Sequence, residues 1–115
     1  MARYKKYIIL ENYKTREVKI RFGYPFFHKD LIESSDKKEG WECIGGGFWD
    51  IDFRDKEIIL YGDSTDFGMP RKEKIKIAIS NINKHDWWQF KWICEHIFET
   101  KSCNDIEKFN FIIDY

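Results

Sequence analysis

At 115 residues, 43% hydrophobic and 18% aromatic, the chain reads as one folded domain over 1–115 and excludes a disordered tract. Its 20 Lys and Arg balance 20 Asp and Glu, which leaves no electrostatic footprint for duplex nucleic acid. The first apolar run, residues 7–10, is too short for a signal peptide or a membrane span, so a cytoplasmic location and no membrane partner are expected.

Residues 5–11 are rich in Tyr and Ile and predict a first strand. Residues 17–22 alternate, with Val18, Ile20 and Phe22 on one face, and predict a second. Pro25 suits the opening of a helix over 26–37, with Phe27 and Leu31 sharing a face. Residues 42–44 and 48–53 read as strands on either side of Gly45, Gly46 and Gly47. Three successive glycines imply either a positive φ or a group that approaches closer than a Cβ allows. Arg54, Asp55 and Lys56 form a hairpin turn, and residues 57–61 return antiparallel.

Residues 74–79 alternate Lys, Ile, Lys, Ile, Ala, Ile, which predicts a strand first and a helix second. Residues 85–100 give the strongest helix, with Phe90, Ile93, Cys94 and Ile97 as its apolar face and Asn83 as N-cap. Residues 109–114 alternate as a last strand. The order predicts an α/β (α+β) fold, a mixed sheet of about six strands flanked by two helices.

Several side chains invite chemistry, and most have a plainer reading. Cys43, Cys94 and Cys103 form no CxxC pair and are expected to stay reduced. Cys94, His96 and Cys103 lack the tight ligand pair of a zinc site, so no metal is expected. Asp50 and Asp52 share a strand face and read as a solvated edge. The basic clusters 3–6 and 71–76 read the same way. Ser64 lacks a Gly-x-Ser-x-Gly elbow, which argues against a serine hydrolase. Trp88 and Trp92 stand four apart; core is favoured, and a partner or oligomer surface on the helix bearing Trp87, Trp88 and Trp92 is the alternative. The loop over 62–68 follows the apolar run 58–61 and is suited to presenting backbone N–H groups to an anion.

The pattern Cys43-Ile44-Gly45-Gly46-Gly47, then Lys56, then Tyr61-Gly62-Asp63-Ser64-Thr65-Asp66-Phe67-Gly68 resembles the Janus/Ocnus family of small phosphohistidine phosphatases. Lys6-Tyr7-Ile8-Ile9-Leu10 is similar to that family's first strand, which carries a phosphate-binding lysine. Gly23-Tyr24 with Phe27-His28-Lys29-Asp30-Leu31 looks like its histidine-bearing segment. The resemblance spans about residues 4–70 and implies a cofactor-free, metal-free hydrolase of N-linked phosphate. Its partner would be a phosphorylated protein or a phosphorylated small molecule. His28 would be the general base. Lys6 and Arg21 would neutralise phosphoryl oxygens, and Ser64, Thr65 and Asp66 would offer backbone N–H groups.

Phe48 stands where the family places an arginine, Arg21 is one place off its counterpart, and Asp66 puts a carboxylate in the anion loop. These differences leave a rival reading open. It is a non-catalytic binder of a phosphorylated or nucleotide ligand, such as a phage sponge for a defence signal.

Overall fold

The computed structural model describes residues 4–114; Arg3 of the first basic cluster lies outside them. The elements are β1 (Lys6–Asn12), β2 (Val18–Gly23), α1 (Ser34–Glu39), β3 (Trp41–Asp52), β4 (Glu57–Tyr61), α2 (Lys72–Ser80), α3 (Lys84–His96) and β5 (Asn110–Asp114). Short 3-10 turns occupy His28–Leu31 and Ile106–Lys108. The strands form one five-stranded mixed sheet in the order β2-β1-β3-β4-β5. Pairing is antiparallel except between β4 and β5, which run parallel across the long connection through α2 and α3. The fold is therefore α+β. The expected six strands and two helices become five strands and three α-helices among the described residues.

The interior strand β1 is fully buried from Tyr7 to Leu10, because both faces of the sheet are covered. Tyr7 and Ile9 point to one side, where Trp49, Ile58, Leu60, Ile75, Ala78, Phe90 and Ile93 complete the main core under α2 and α3. Lys6, Ile8 and Leu10 point to the other side by alternation. There the turn at His28–Leu31 lies against β1 and β2, and α1 lies against β3. Trp49 anchors the first side by donating from Nε1 to the Gly23 carbonyl at 3.0 Å.

Two sequence expectations fail over strand counting. The two strands expected at 42–44 and 48–53 are one, β3 (Trp41–Asp52), which runs through all three glycines. None of the three has a positive φ. Close approach explains them. A Cβ would fall 2.7 Å from Pro70 N at Gly45, 2.7 Å from the Tyr7 carbonyl oxygen at Gly46, and 2.7 Å from that of Tyr61 at Gly47. A register shift opposite Ile9 and Leu10 absorbs the irregularity. Residues 74–79 are helical, inside α2, because Ile75, Ala78 and Ile79 meet the core at helical spacing while Ile77 faces out. A run of alternating Ile and Lys fits both periods, and tertiary burial decides between them.

The expected helix over 26–37 breaks in two at Ile32, which is extended. Asp30 accepts from Phe27 N at 2.9 Å, and Asp36 accepts from Glu33 N at 2.7 Å. Each carboxylate thus starts its own short element. Asn83 caps α3 as its sequence implies, accepting from Asp86 N at 2.9 Å. The helix stops at His96, short of Thr100, and Glu99 turns the chain back with a φ of 53°. That reversal brings Cys103 onto Cys94, and the two form a disulfide in place of the expected thiols. It removes both sulfurs from any zinc site. Trp88 and Trp92, favoured for the core, are 61% and 47% exposed. No helix among the described residues is long and apolar enough to cross a membrane.

Candidate functional site

The face of the sheet away from α2 and α3 assembles the chemistry. Cross-strand register places Lys6 beside Phe48 and Phe48 beside Tyr61, one row across β1, β3 and β4. The turn at His28–Leu31 crosses this row. The His28 ring meets Phe48 edge-on at 5.3 Å between centroids, and Phe48 meets Tyr61 at 5.8 Å. Gly62, at a φ of 67°, makes room for the Phe48 ring, since a Cβ there would lie 2.7 Å from Phe48 Cδ2.

His28 is 4% exposed, and its Nε2 lies 2.7 Å from the Gly47 carbonyl oxygen. A carbonyl only accepts, so Nε2 carries a proton and neutral His28 keeps its lone pair on Nδ1. Nδ1 bonds to nothing among the described residues, and no buried side-chain nitrogen or oxygen lacks a partner. Nδ1 therefore reaches solvent. Gly47 thus orients a base, a role that leaves no side-chain signal in a sequence.

Lys6 is also buried, and its ammonium donates to the carbonyls of Phe26 at 2.8 Å and Pro25 at 3.3 Å. It ties the segment carrying His28 to β1. Burial lowers the Lys6 pKa, and the Asp30 charge opposes this. Burial likewise holds His28 below the ordinary histidine value, and the Lys6 charge adds to it. The Gly47 carbonyl and the carboxylates of Asp66 and Asp63 pull the other way. Lys6, His28 and the loop after β4 therefore lie within electrostatic reach of one another.

That loop is shaped by Ser64. Its buried hydroxyl accepts from Asp66 N and Phe67 N, both at 3.2 Å, and its carbonyl accepts from Gly68 N at 2.8 Å. Gly46 N donates to the Gly68 carbonyl at 3.0 Å, which fastens the loop to β3 next to His28. Thr65 and Asp66 are exposed at its tip. The Asp66 N–H is turned to Ser64 in this arrangement.

Arg21 stands apart from this group. It shares the sheet face, opposite Ile8, but both guanidinium nitrogens hold Asp36, at 2.6 and 3.0 Å, and Nη1 also donates to the Leu31 carbonyl. Cys43 is no nucleophile, since burial pushes its thiol up to about 11. Asp50 pairs with Lys5 at 2.8 Å. The arrangement can hold a base beside a cation and a loop in which Ser64 takes the N–H groups of Asp66, Phe67 and Gly68. In comparisons with known proteins, no family model matches the chain, and no curated protein matches it.

Proposed function

We propose that the chain is a Janus/Ocnus-type hydrolase of N-linked phosphate, acting on phosphohistidine without a metal. The single observation that supports this best is the His28 to Gly47 bond at 2.7 Å, which fixes the tautomer of a solvent-touching base beside Lys6. His28 Nδ1 takes a proton from water as its oxygen attacks phosphorus. The phosphorus–nitrogen bond breaks, and the leaving imidazole nitrogen takes the proton that His28 Nδ1 received from water, which restores neutral His28. Lys6 offsets charge on the phosphoryl oxygens, and the N–H groups of Ser64 and Thr65 receive the rest, that of Asp66 being held by the Ser64 hydroxyl.

The test is phosphate release from a phosphohistidine peptide and from phospholysine, in the presence of a chelator. Release that falls at least about a hundredfold in His28→Ala fits general-base loss. No release, or undiminished release in His28→Ala, rejects the proposal.

One observation favours the rival, a binder without turnover. Phe48, His28 and Tyr61 form an aromatic row where a phosphatase of this type has an arginine, and Asp63 and Asp66 place carboxylates nearby. Such a row suits stacking on a nucleotide base. Titration calorimetry against nucleotides separates the two: tight binding with no phosphate released favours the binder.

A further inference from the structure

We propose that the free edge of β2 is a docking strip for an extended, basic peptide segment of a partner protein, which joins the sheet as an added strand. Among the described residues, β2 pairs only with β1 and ends the sheet. Asn12 N donates to the Glu17 carbonyl at 2.8 Å, so that carbonyl faces β1. Antiparallel alternation then aims the N–H and C=O groups of Val18, Ile20 and Phe22 outward. Asn81 Nδ2 takes the Val18 carbonyl at 2.8 Å. Among the described residues, the outward groups of Ile20 and Phe22 bond to nothing.

An edge of this kind is a template for another chain, and proteins usually blunt it with a lysine, a proline or a bulge. β2 carries no proline, and its lysine does not guard the edge. Lys19 Nζ turns back to lie 4.0 Å over the Trp41 ring and 3.9 Å from Asp36. The edge is instead the floor of a groove. Two cavities of about 370 Å³ each follow it, one along Glu17 to Arg21 and one along Arg21 and Phe22, sharing Glu33 and Gln89. The stretch around Asp30 and Glu33 forms one wall and α3 the other.

The groove also selects charge. Glu17, Asp30, Glu33 and Asp86 line it, while its cations, Lys19 and Arg21, are both turned to Asp36. Trp88 and Trp92 border the same cavity as Asp30 and Glu33. An arginine or lysine of the incoming strand reaches carboxylates and indole faces together, while its backbone pairs with Ile20 and Phe22. The six residues of β2 offer about 20 Å of edge, enough for a short segment. The strip needs no phosphoryl chemistry and stands whether or not His28 is a base.

The experiment is fluorescence anisotropy with a dye-labelled peptide of alternating valine, threonine and arginine. Expected are saturable binding to the wild type and to His28→Ala, and at least tenfold weaker binding to Trp88→Ala and Glu33→Gln. An N-methylated copy of the peptide and a copy with glutamate for arginine are expected to bind at least tenfold more weakly to the wild type. Circular dichroism checks that each variant folds, and the N-methylated arm needs no variant. Equal binding of the N-methylated copy overturns strand addition, as does ethylguanidine competing at the peptide's own concentration. No binding at millimolar peptide overturns the strip. So does a dimer in sedimentation that Trp88→Ala abolishes, which would assign the edge to a second copy.

Discussion

The His28 ring rests against the bare backbone of Gly46: a Cβ there would stand 3.1 Å from His28 Cδ2 and 2.7 Å from the Tyr7 carbonyl oxygen. The second contact is to backbone of β1, a strand paired on both sides, which has no room to yield. Gly46→Ala is therefore expected to cost about 1–3 kcal/mol, the range for overpacking a tight interior. It also lifts the imidazole away from the Gly47 carbonyl. Urea denaturation measures the first effect, and phosphate release from the folded fraction measures the second. A variant of unchanged stability would show that the sheet spacing at Gly46 is looser than described.

The pH dependence follows from burial. His28 sits below the ordinary histidine value, first through desolvation and then through the Lys6 charge. The unfolded chain takes up a proton near pH 6.5, where the native state stays neutral. Stability from this group is thus complete above about 6.5 and is lost as pH falls from there to the lower native value. The proposed hydrolysis would share the sign, so the acid limb of its kcat/KM is expected below about pH 6.5. Lys6→Gln removes a downward push and should move the limb upward. The pH–rate profiles of wild type and variant check both, and a wild-type limb above 6.5 contradicts the geometry.

How much of this was legible beforehand differs by element. The first two strands, the hairpin at 54–56, the Asn83 cap and the last strand follow from local pattern and turn chemistry. Residues 74–79 do not, because Lys-Ile alternation satisfies two periods and only Ile75 and Ala78 meeting the core chooses helix. The glycines signal either a positive φ or close approach, and what decides it, Pro70 and the carbonyls of Tyr7 and Tyr61, comes from distant segments. His28, Lys6 and Ser64 are visible as residue types in order. The Gly47 carbonyl that orients His28 is backbone and invisible to any sequence pattern. The Arg21 to Asp36 pairing depends on where α1 starts, which the expected longer helix obscured.

That pairing makes its own prediction. Asp36 is 2% exposed and accepts from Arg21, from Glu33 N and, at longer range, from Lys19. Burial pushes its carboxyl up, but the Arg21 hydrogen bond and the Glu33 N–H more than offset this and hold it below the usual carboxylate value. Its contribution is present at neutral pH and is lost as pH falls through the native value. Asp36→Ala strands a half-buried guanidinium and is expected to cost about 3–5 kcal/mol. Arg21→Met combined with Asp36→Leu should cost much less, since neither charge is then left alone. A double-mutant cycle by urea denaturation reads the coupling.

The disulfide between Cys94 and Cys103 closes a short loop, with a sequence separation of 9. Chain-entropy arguments give such a loop about 2–3 kcal/mol. Cys94→Ser, or reductant added to the wild type, is expected to lower unfolding stability by that amount. Cys43→Ser is expected to show no change in reductant sensitivity, because Cys43 is the unpaired thiol. Thermal melts with and without reductant decide it.

Phe48 offers the sharpest separation of hydrolase from binder. Its ring lies between His28 and Tyr61, on the strand next to Lys6, and the proposed phosphatase reading expects an arginine at its place. Phe48→Arg gives up the ring contacts and introduces a fork of donors in the same row. A hydrogen bond to a charged group contributes about 1.5–3 kcal/mol, which converts to a KM for phosphohistidine at least about tenfold lower. The guanidinium would also disfavour protonated His28, so the acid limb of the rate profile should move further down. Steady-state kinetics of the variant at several pH values measures both shifts. A lower KM with turnover retained identifies the row as a phosphoryl site that tolerates either residue. A loss of nucleotide affinity in the variant, with no phosphate released by either protein, identifies the row as a stacking platform and removes the hydrolase reading.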